Sequence, residues 1–307
     1  MSVFTSVTNA QLQHFLRAYS VGEIIAFEGI AAGIENSNYL LHATAGKFIL
    51  TLFEHLTADQ VDYFLQLKIH LHQQGQAVAL PVAAVDGHYH DVLANKPAAL
   101  IQFQQGTSPD RPTVQQLQAV GSELARLHLA CAGYPAPPDA NCRDLNWMRR
   151  CYQTFADKLT VSEQQFIDDE LRYQQDWPKT LPKGLIHGDL FRDNCLMAAD
   201  RVTAVLDWYA ASEDSYLFDL AICANDWCNH ADKEVSTNKL SIIYQAYDAV
   251  RPLSDEEKSA WPRALRRAAL RFYLSRLADH YFPQPGELTQ NKDPLEYRRI
   301  LLSRQQT

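Results

Sequence analysis

The sequence lacks the features that would send it to a membrane, out of the cell or onto nucleic acid. No apolar run approaches the roughly 18 residues a membrane span needs. The longest candidate, Ala77 to Val85, is interrupted by Pro81. The start, Met1-Ser2-Val3-Phe4-Thr5, has no basic segment followed by an apolar one, so no export signal is read there and a cytoplasmic home is expected. Positive charge is in deficit. The 28 Lys and Arg against 36 Asp and Glu leave a net charge of −8, which gives no general attraction to nucleic acid or to an anionic membrane. Any phosphate-bearing ligand must therefore be held locally. The six cysteines, at 131, 142, 151, 195, 223 and 228, contain no Cys-x-x-Cys pair, and free thiols are expected. Cys223, Cys228 and His230 have the residue types of a zinc site, but they lie on a helical apolar stretch where a thiol behaves as a small hydrophobe. Internal repeats and low-complexity segments are absent.

The 307 residues, 47% hydrophobic, suffice for two modest domains or one large one. Thr8 can cap a first helix carrying Leu12, Phe15, Leu16 and Tyr19 at helical spacing. Short apolar runs at 23–27, 37–42 and 47–53 read as three antiparallel strands, and a helix from Ala58 to about Gln74 follows. Pro81, a hairpin-like Asp86-Gly87 and the run Ala98 to Phe103 add two more strands. Beyond residue 112 the pattern is helical, at 114–129, 146–159, 162–175, 215–228, 236–250 and 255–282. It is interrupted only by short strands at 184–187, 195–197 and 202–206. The expectation is an α+β chain of two lobes, an antiparallel-sheet lobe over residues 1–105 and a mostly helical lobe over 106–307, with a cleft between them.

The most informative segment is His187-Gly188-Asp189-Leu190-Phe191-Arg192-Asp193-Asn194, a loop between strand-like flanks. A carboxylate at 189 and an amide at 194 can face one site, the first accepting a proton from a hydroxyl, the second offering a neutral oxygen to a cation. Thirteen residues later the apolar Val205-Leu206 ends in Asp207, which would complete a magnesium site. The order of a loop Asp, an Asn five residues on and a strand-end Asp is that of kinase phosphoryl transfer. Singly, each of these residues reads as a cap or turn residue; it is their combination that argues for chemistry.

His-Gly-Asp-Leu-x-x-x-Asn followed by Leu-Asp-Trp resembles the aminoglycoside phosphotransferase and choline-kinase-like family, which has the protein-kinase-like two-lobe fold and phosphorylates small hydroxyl compounds. The resemblance implies Asp189 as catalytic base, Asn194 and Asp207 as Mg2+ ligands, and Asp219, about a dozen residues past Asp207, as a structural brace together with His187. Phe48 to Glu54, Arg271 to Leu277, Phe282 to Thr289 and Lys292 to Leu301 look like the bacterial homoserine kinases of this family. That narrower resemblance implies ATP as donor, L-homoserine as acceptor and a place in threonine biosynthesis. The glycine-punctuated loop from Gly29 through Gly33 to Asn36 would let backbone N–H groups approach phosphates. The backbone at Gln102 and Phe103 falls where the family's hinge holds adenine. One departure is plain: Thr51 stands where most relatives have a third-strand lysine. Lys47, on the same strand face, is a possible substitute, and Asp62 and Gln66 both lie near the place of its acidic partner. The acceptor's ammonium and carboxylate call for an acid and an arginine, with candidates Arg192, Asp226, Arg271 and Arg276. Two other readings stay open: a kinase of another small alcohol, such as choline, an aminoglycoside or a sugar derivative, and a non-catalytic nucleotide-binding pseudokinase.

Overall fold

The computed structural model describes residues 4–30, 36–137, 143–229, 237–283 and 292–306. The chain divides into two units, with the sequence passing from one to the other between Gln105 and Gly106. In the first, helix α1 (Asn9–Leu16) precedes strands β1 (Ile24–Gly29), β2 (Ser37–Ala43) and β3 (Gly46–Leu52). Helix α2 (Ala58–Gln73) and strands β4 (Asp91–Leu93) and β5 (Lys96–Gln102) follow. The five strands form one antiparallel sheet in the order β1-β2-β3-β5-β4. On β2 the alternation is strict: Ser37, Tyr39, Leu41 and Ala43 are the buried positions, as expected of a half-buried strand. Tyr39 and Leu41 pack with Leu50 and Leu52 of β3 and with Leu12, Phe15 and Leu16 of α1. The tight turn of the β4–β5 hairpin is Ala94-Asn95, both residues left-handed at φ 50° and 63°. This corrects the expectation at Asp86-Gly87, which forms a separate turn before β4, with the Gly87 amide donating to the Ala84 carbonyl at 2.9 Å.

The second unit holds α3 (Val114–Ala130), α4 (Leu145–Gln153) and α5 (Val161–Tyr173), then β6 (Lys183–Ile186), β7 (Cys195–Ala198), β8 (Arg201–Val205) and β9 (Ser212–Ser215). Helices α6 (Tyr216–Trp227), α7 (Thr237–Asp248), α8 (Asp255–Tyr281) and α9 (Pro294–Arg304) complete it. Strands β6 and β9 pair with each other, as do β7 and β8. Capping boxes start α1, α2, α3, α5 and α8: Thr8 with Gln11, Thr57 with Gln60, Thr113 with Gln116, Thr160 with Glu163, and Ser254 with Glu257. Each satisfies two otherwise orphaned backbone donors, so these helix starts are set locally. The helix expected over 146–159 ends at Gln153 instead. Phe155 turns fully into the core, and a short 3₁₀ turn carries the chain on through Lys158.

Helix α6 organises this unit. All of Leu217 to Trp227 is buried, including Asp219, Asn225 and Asp226. Polar groups so deep need partners. Asn225 donates to the Leu265 carbonyl at 2.8 Å and accepts from Arg304 Nε at 2.9 Å. The partners of Asp219 and Asp226 lie in the loop between β6 and β7. Among the described residues no helix is long and apolar enough to cross a membrane.

Candidate active site

The loop from His187 to Asn194 is gripped along its length by α6. Asp219 accepts from the backbone N–H of His187 at 2.9 Å through Oδ2 and from that of Gly188 at 2.8 Å through Oδ1. Asp226 accepts the Arg192 backbone N–H at 2.8 Å, and the Trp227 indole N–H donates to the Leu190 carbonyl at 3.1 Å. Glycine at 188 is required twice over. Its φ is +76°, and an added Cβ would lie 2.8 Å from the Ala210 carbonyl oxygen. Gly188→Ala is therefore expected to lower unfolding stability by about 1–3 kcal/mol, measured by urea denaturation.

Within this frame Asn194 donates its side-chain N–H to the Asp189 carbonyl at 2.9 Å and to Asp189 Oδ2 at 3.2 Å. The amide oxygen of Asn194 is thereby left as an acceptor. The Asn194 carbonyl takes the N–H of Leu206 at 2.9 Å, and His187 Nε2–H donates to the Leu206 carbonyl at 2.8 Å. Both contacts fix the residue before Asp207. Asp207 itself adopts a left-handed backbone, φ 52° and ψ 66°. This is costly for a residue with a Cβ and is sustained only where the surroundings dictate it. His187 Nδ1 accepts the Asp189 N–H at 3.2 Å, so this histidine joins the loop to the strand end.

The electrostatics agree with the geometry. Burial pushes the Asp189 carboxyl up to about 8, and the nearby Asp207 charge acts in the same direction, opposed by Arg271 and Lys292. Two carboxylates near enough to repel and a free amide oxygen are hard donors that a small divalent cation would relieve, so these residues fit Mg2+. Behind them, buried His128 accepts a hydrogen bond from the Tyr247 hydroxyl at Nδ1, 2.6 Å away, and donates Nε2–H to Asp219 Oδ2 at 2.9 Å. Burial holds the imidazole neutral. Although burial opposes it, the His128 bond keeps the Asp219 carboxyl below its ordinary range.

The structure thus brings Asp189, Asn194, Asp207, His187 and Asp219 together. It treats the four acceptor-binding candidates differently. Arg192 and Asp226 are spent on each other and on the fold: Arg192 Nε meets Asp226 Oδ2 at 3.1 Å, and Nη1 donates to the Asp110 carbonyl at 2.7 Å. This pairing makes Asp226 a holder of the loop. Arg276 likewise donates to Glu296 Oε2 at 2.5 Å and to the Asp293 carbonyl at 3.1 Å. Arg271, buried on α8, lies over the Phe272 ring at 3.6 Å and within electrostatic reach of Asp189.

The nucleotide candidates lie in the first unit. Gly29 ends β1, paired with Tyr39, whereas Gly33 lies outside the described residues. Asn36 is buried, its side-chain oxygen accepting the Glu54 N–H at 3.3 Å. Gln102 and Phe103 are exposed at the end of β5. Thr51 is buried, its hydroxyl donating to Asn38 Oδ1 at 2.8 Å. Lys47 is exposed over the Phe103 ring at 5.7 Å, and an offset of four positions along the strand puts it roughly 13 Å from Thr51. Lys47 does not occupy the place Thr51 holds, because β3 runs unbulged between them. Of the zinc candidates, His230 lies outside the described residues, and Cys223 and Cys228 are buried, their thiols pushed up by burial. Sequence reasoning missed His128 and Lys292. His128 shows no local signal beyond its place on the buried face of α3. Lys292 is a lone cation two residues ahead of the proline that opens α9.

Comparison with known proteins adds three findings. The model of the phosphotransferase enzyme family matches residues 26–253. The homoserine kinase of Methylobacillus flagellatus is 43% identical over 302 residues, covering 98% of this chain and 94% of that protein. The homoserine kinase of Neisseria meningitidis serogroup B is 40% identical over 304 residues, 99% of each. Among solved structures, an amicoumacin kinase in complex with AMP-PNP and Ca2+ superposes with a TM-score of 0.72 at 16% identity, covering 97% of this chain and 94% of that one, and so shares its fold.

Proposed function

The chain belongs to the phosphotransferase enzyme family, and on that premise we propose that it transfers the γ-phosphoryl group of ATP to the side-chain hydroxyl of L-homoserine, giving O-phospho-L-homoserine for threonine biosynthesis. The observation that carries this reading is the hydrogen-bonded Asp189–Asn194 pair set against Asp207 on a loop pinned by α6. Similarity to homoserine kinases over nearly the whole chain supports the choice of acceptor.

Asp189 orients the acceptor hydroxyl and takes its proton as the oxygen–phosphorus bond forms and the bond to the β–γ bridging oxygen breaks, releasing ADP. Asn194 and Asp207 would hold Mg2+, which when bound neutralises charge on the phosphates. His187 and Asp219 keep the loop in register, and Arg271 offers the acceptor a cation. Residues 1–105, with Gly29, Gly33, Asn36, Gln102 and Phe103, serve the nucleotide, while residues 106–307 serve catalysis and the acceptor. Lys47 stays outside this assignment, since the register separates it from the position of Thr51. The use of ATP fits a cytoplasmic home.

The test is ADP release with Mg2+, ATP and a panel of acceptors: L-homoserine, choline, an aminoglycoside and a sugar alcohol. Turnover with homoserine at a kcat/KM at least about tenfold above the others is expected. Preference for another alcohol would move the chain to a different branch of the family, and ATP binding without acceptor-dependent turnover would make it a pseudokinase.

A further inference from the structure

An amino-acid acceptor brings a carboxylate to within a few bonds of the hydroxyl that Asp189 engages, and an unpaired carboxylate in such a site is costly. Arg192 and Arg276 near the loop are already committed to internal partners, and Arg271, the cation offered to the acceptor from α8, is buried over the Phe272 ring. Lys292 differs. Its ammonium lies 5.2 Å above the Phe191 ring, in the middle of the catalytic loop. It meets Asp193 Oδ2 at 3.1 Å, and the two side chains are 36% and 61% exposed. An ion pair that open to water holds only weakly, so an arriving carboxylate displaces it at little cost.

The backbone beneath Lys292 is firmly placed. Its neighbour Asp293 caps α9 by accepting the Leu295 N–H at 2.9 Å, and the Asp293 carbonyl takes a hydrogen bond from Arg276 at 3.1 Å. Tyr297, one turn into α9, stacks on Phe191 with ring centroids 6.1 Å apart and also packs on Phe272, 5.1 Å away. The same aromatic cluster therefore fixes the loop and the start of the helix. Lys292 is also close enough to favour the charged form of Asp189.

We infer that Lys292 binds the carboxylate of the acceptor and thereby makes the site prefer an amino acid over the corresponding amino alcohol. The inference rests on the acceptor reading above, with Lys292 as a specificity residue from the C-terminal segment. On binding, its ammonium leaves Asp193 for the substrate carboxylate, a charge-assisted hydrogen bond that fixes the distance from the carboxylate to the reacting hydroxyl.

The experiment compares the parent enzyme with Lys292→Ala and Lys292→Arg on L-homoserine and on 3-amino-1-propanol, which lacks the carboxylate. In Lys292→Ala the ratio of kcat/KM for homoserine to that for aminopropanol is expected to fall about 10- to 100-fold, through KM for homoserine more than kcat. Lys292→Arg is expected to restore most of the ratio. A parent enzyme that ignores homoserine would overturn the acceptor reading and this one together. A parent active on homoserine whose ratio survives in Lys292→Ala overturns the Lys292 assignment alone. So does a variant that loses both acceptors equally or shows a raised KM for ATP, because the lysine then serves the phosphates.

Discussion

Asp189→Asn is expected to lower phosphohomoserine formation by about 10²- to 10⁴-fold, the range a positioned general base contributes. The substitution preserves shape, and an amide at 189 still accepts the hydrogen bond from Asn194, so the loop keeps its place while losing the group that takes the proton. A stability measurement separates this loss from misfolding. Burial and the Asp207 charge hold the Asp189 carboxyl above its unfolded value of 3.8. At neutral pH the unfolded chain therefore ionises it more readily than the folded chain does, and the group costs stability there. The asparagine variant is accordingly expected to be more stable than the parent at pH 7 to 8, with the difference vanishing below about pH 4. Urea denaturation across that range reads it. A variant that lost both stability and activity would show Asp189 to be part of the scaffold.

Asp219→Ala removes the acceptor for the His187 and Gly188 backbone N–H groups and for His128 Nε2 in one step. Three buried donors are left unmatched, and a loss of about 3–5 kcal/mol is expected from urea unfolding. Activity falls with it, since the same contacts hold the turn that presents Asp189. The pair also sets an acid limit. Burial lowers the His128 pKa from 6.5, so as pH drops below 6.5 the unfolded state takes up a proton that the folded state refuses, and stability declines. Asp219, held low by His128, adds a second decline below 3.8. His128→Gln is expected to remove the first of these and weaken the second, which the backbone N–H groups of His187 and Gly188 still support.

Much of the fold was legible because its signals are local. Thr8 caps the Gln11 N–H within one turn of α1, Leu12, Phe15 and Leu16 recur on one face of the same helix, and the short apolar run of β2 needs only the pleat. Strand β9 was missed for the converse reason. Ser-Glu-Asp-Ser has neither apolar alternation nor β-branched residues, and it is extended because β6 supplies the hydrogen-bonding partner. The Ala94-Asn95 turn escaped because neither residue is glycine, and only the closed hairpin imposes the left-handed conformation.

The site divides along the same line. The sequence by itself determined which chemical groups stand where Asp189 and Asn194 meet: eight residues of chain between two short strands keep a carboxylate and an amide five positions apart within reach of each other. It could not determine which charges are available and which are spent. Arg192 with Asp226, His128 with Asp219 and Lys292 with Asp193 join residues 34, 91 and 99 positions apart. Those pairings follow from how α3, α6 and the start of α9 pack around the loop. Only the folded core decides which of several identical arginines loses its water and takes an internal partner, and which lysine keeps an exposed, easily exchanged one, because the cost of burying a charge depends on surroundings assembled from the whole unit.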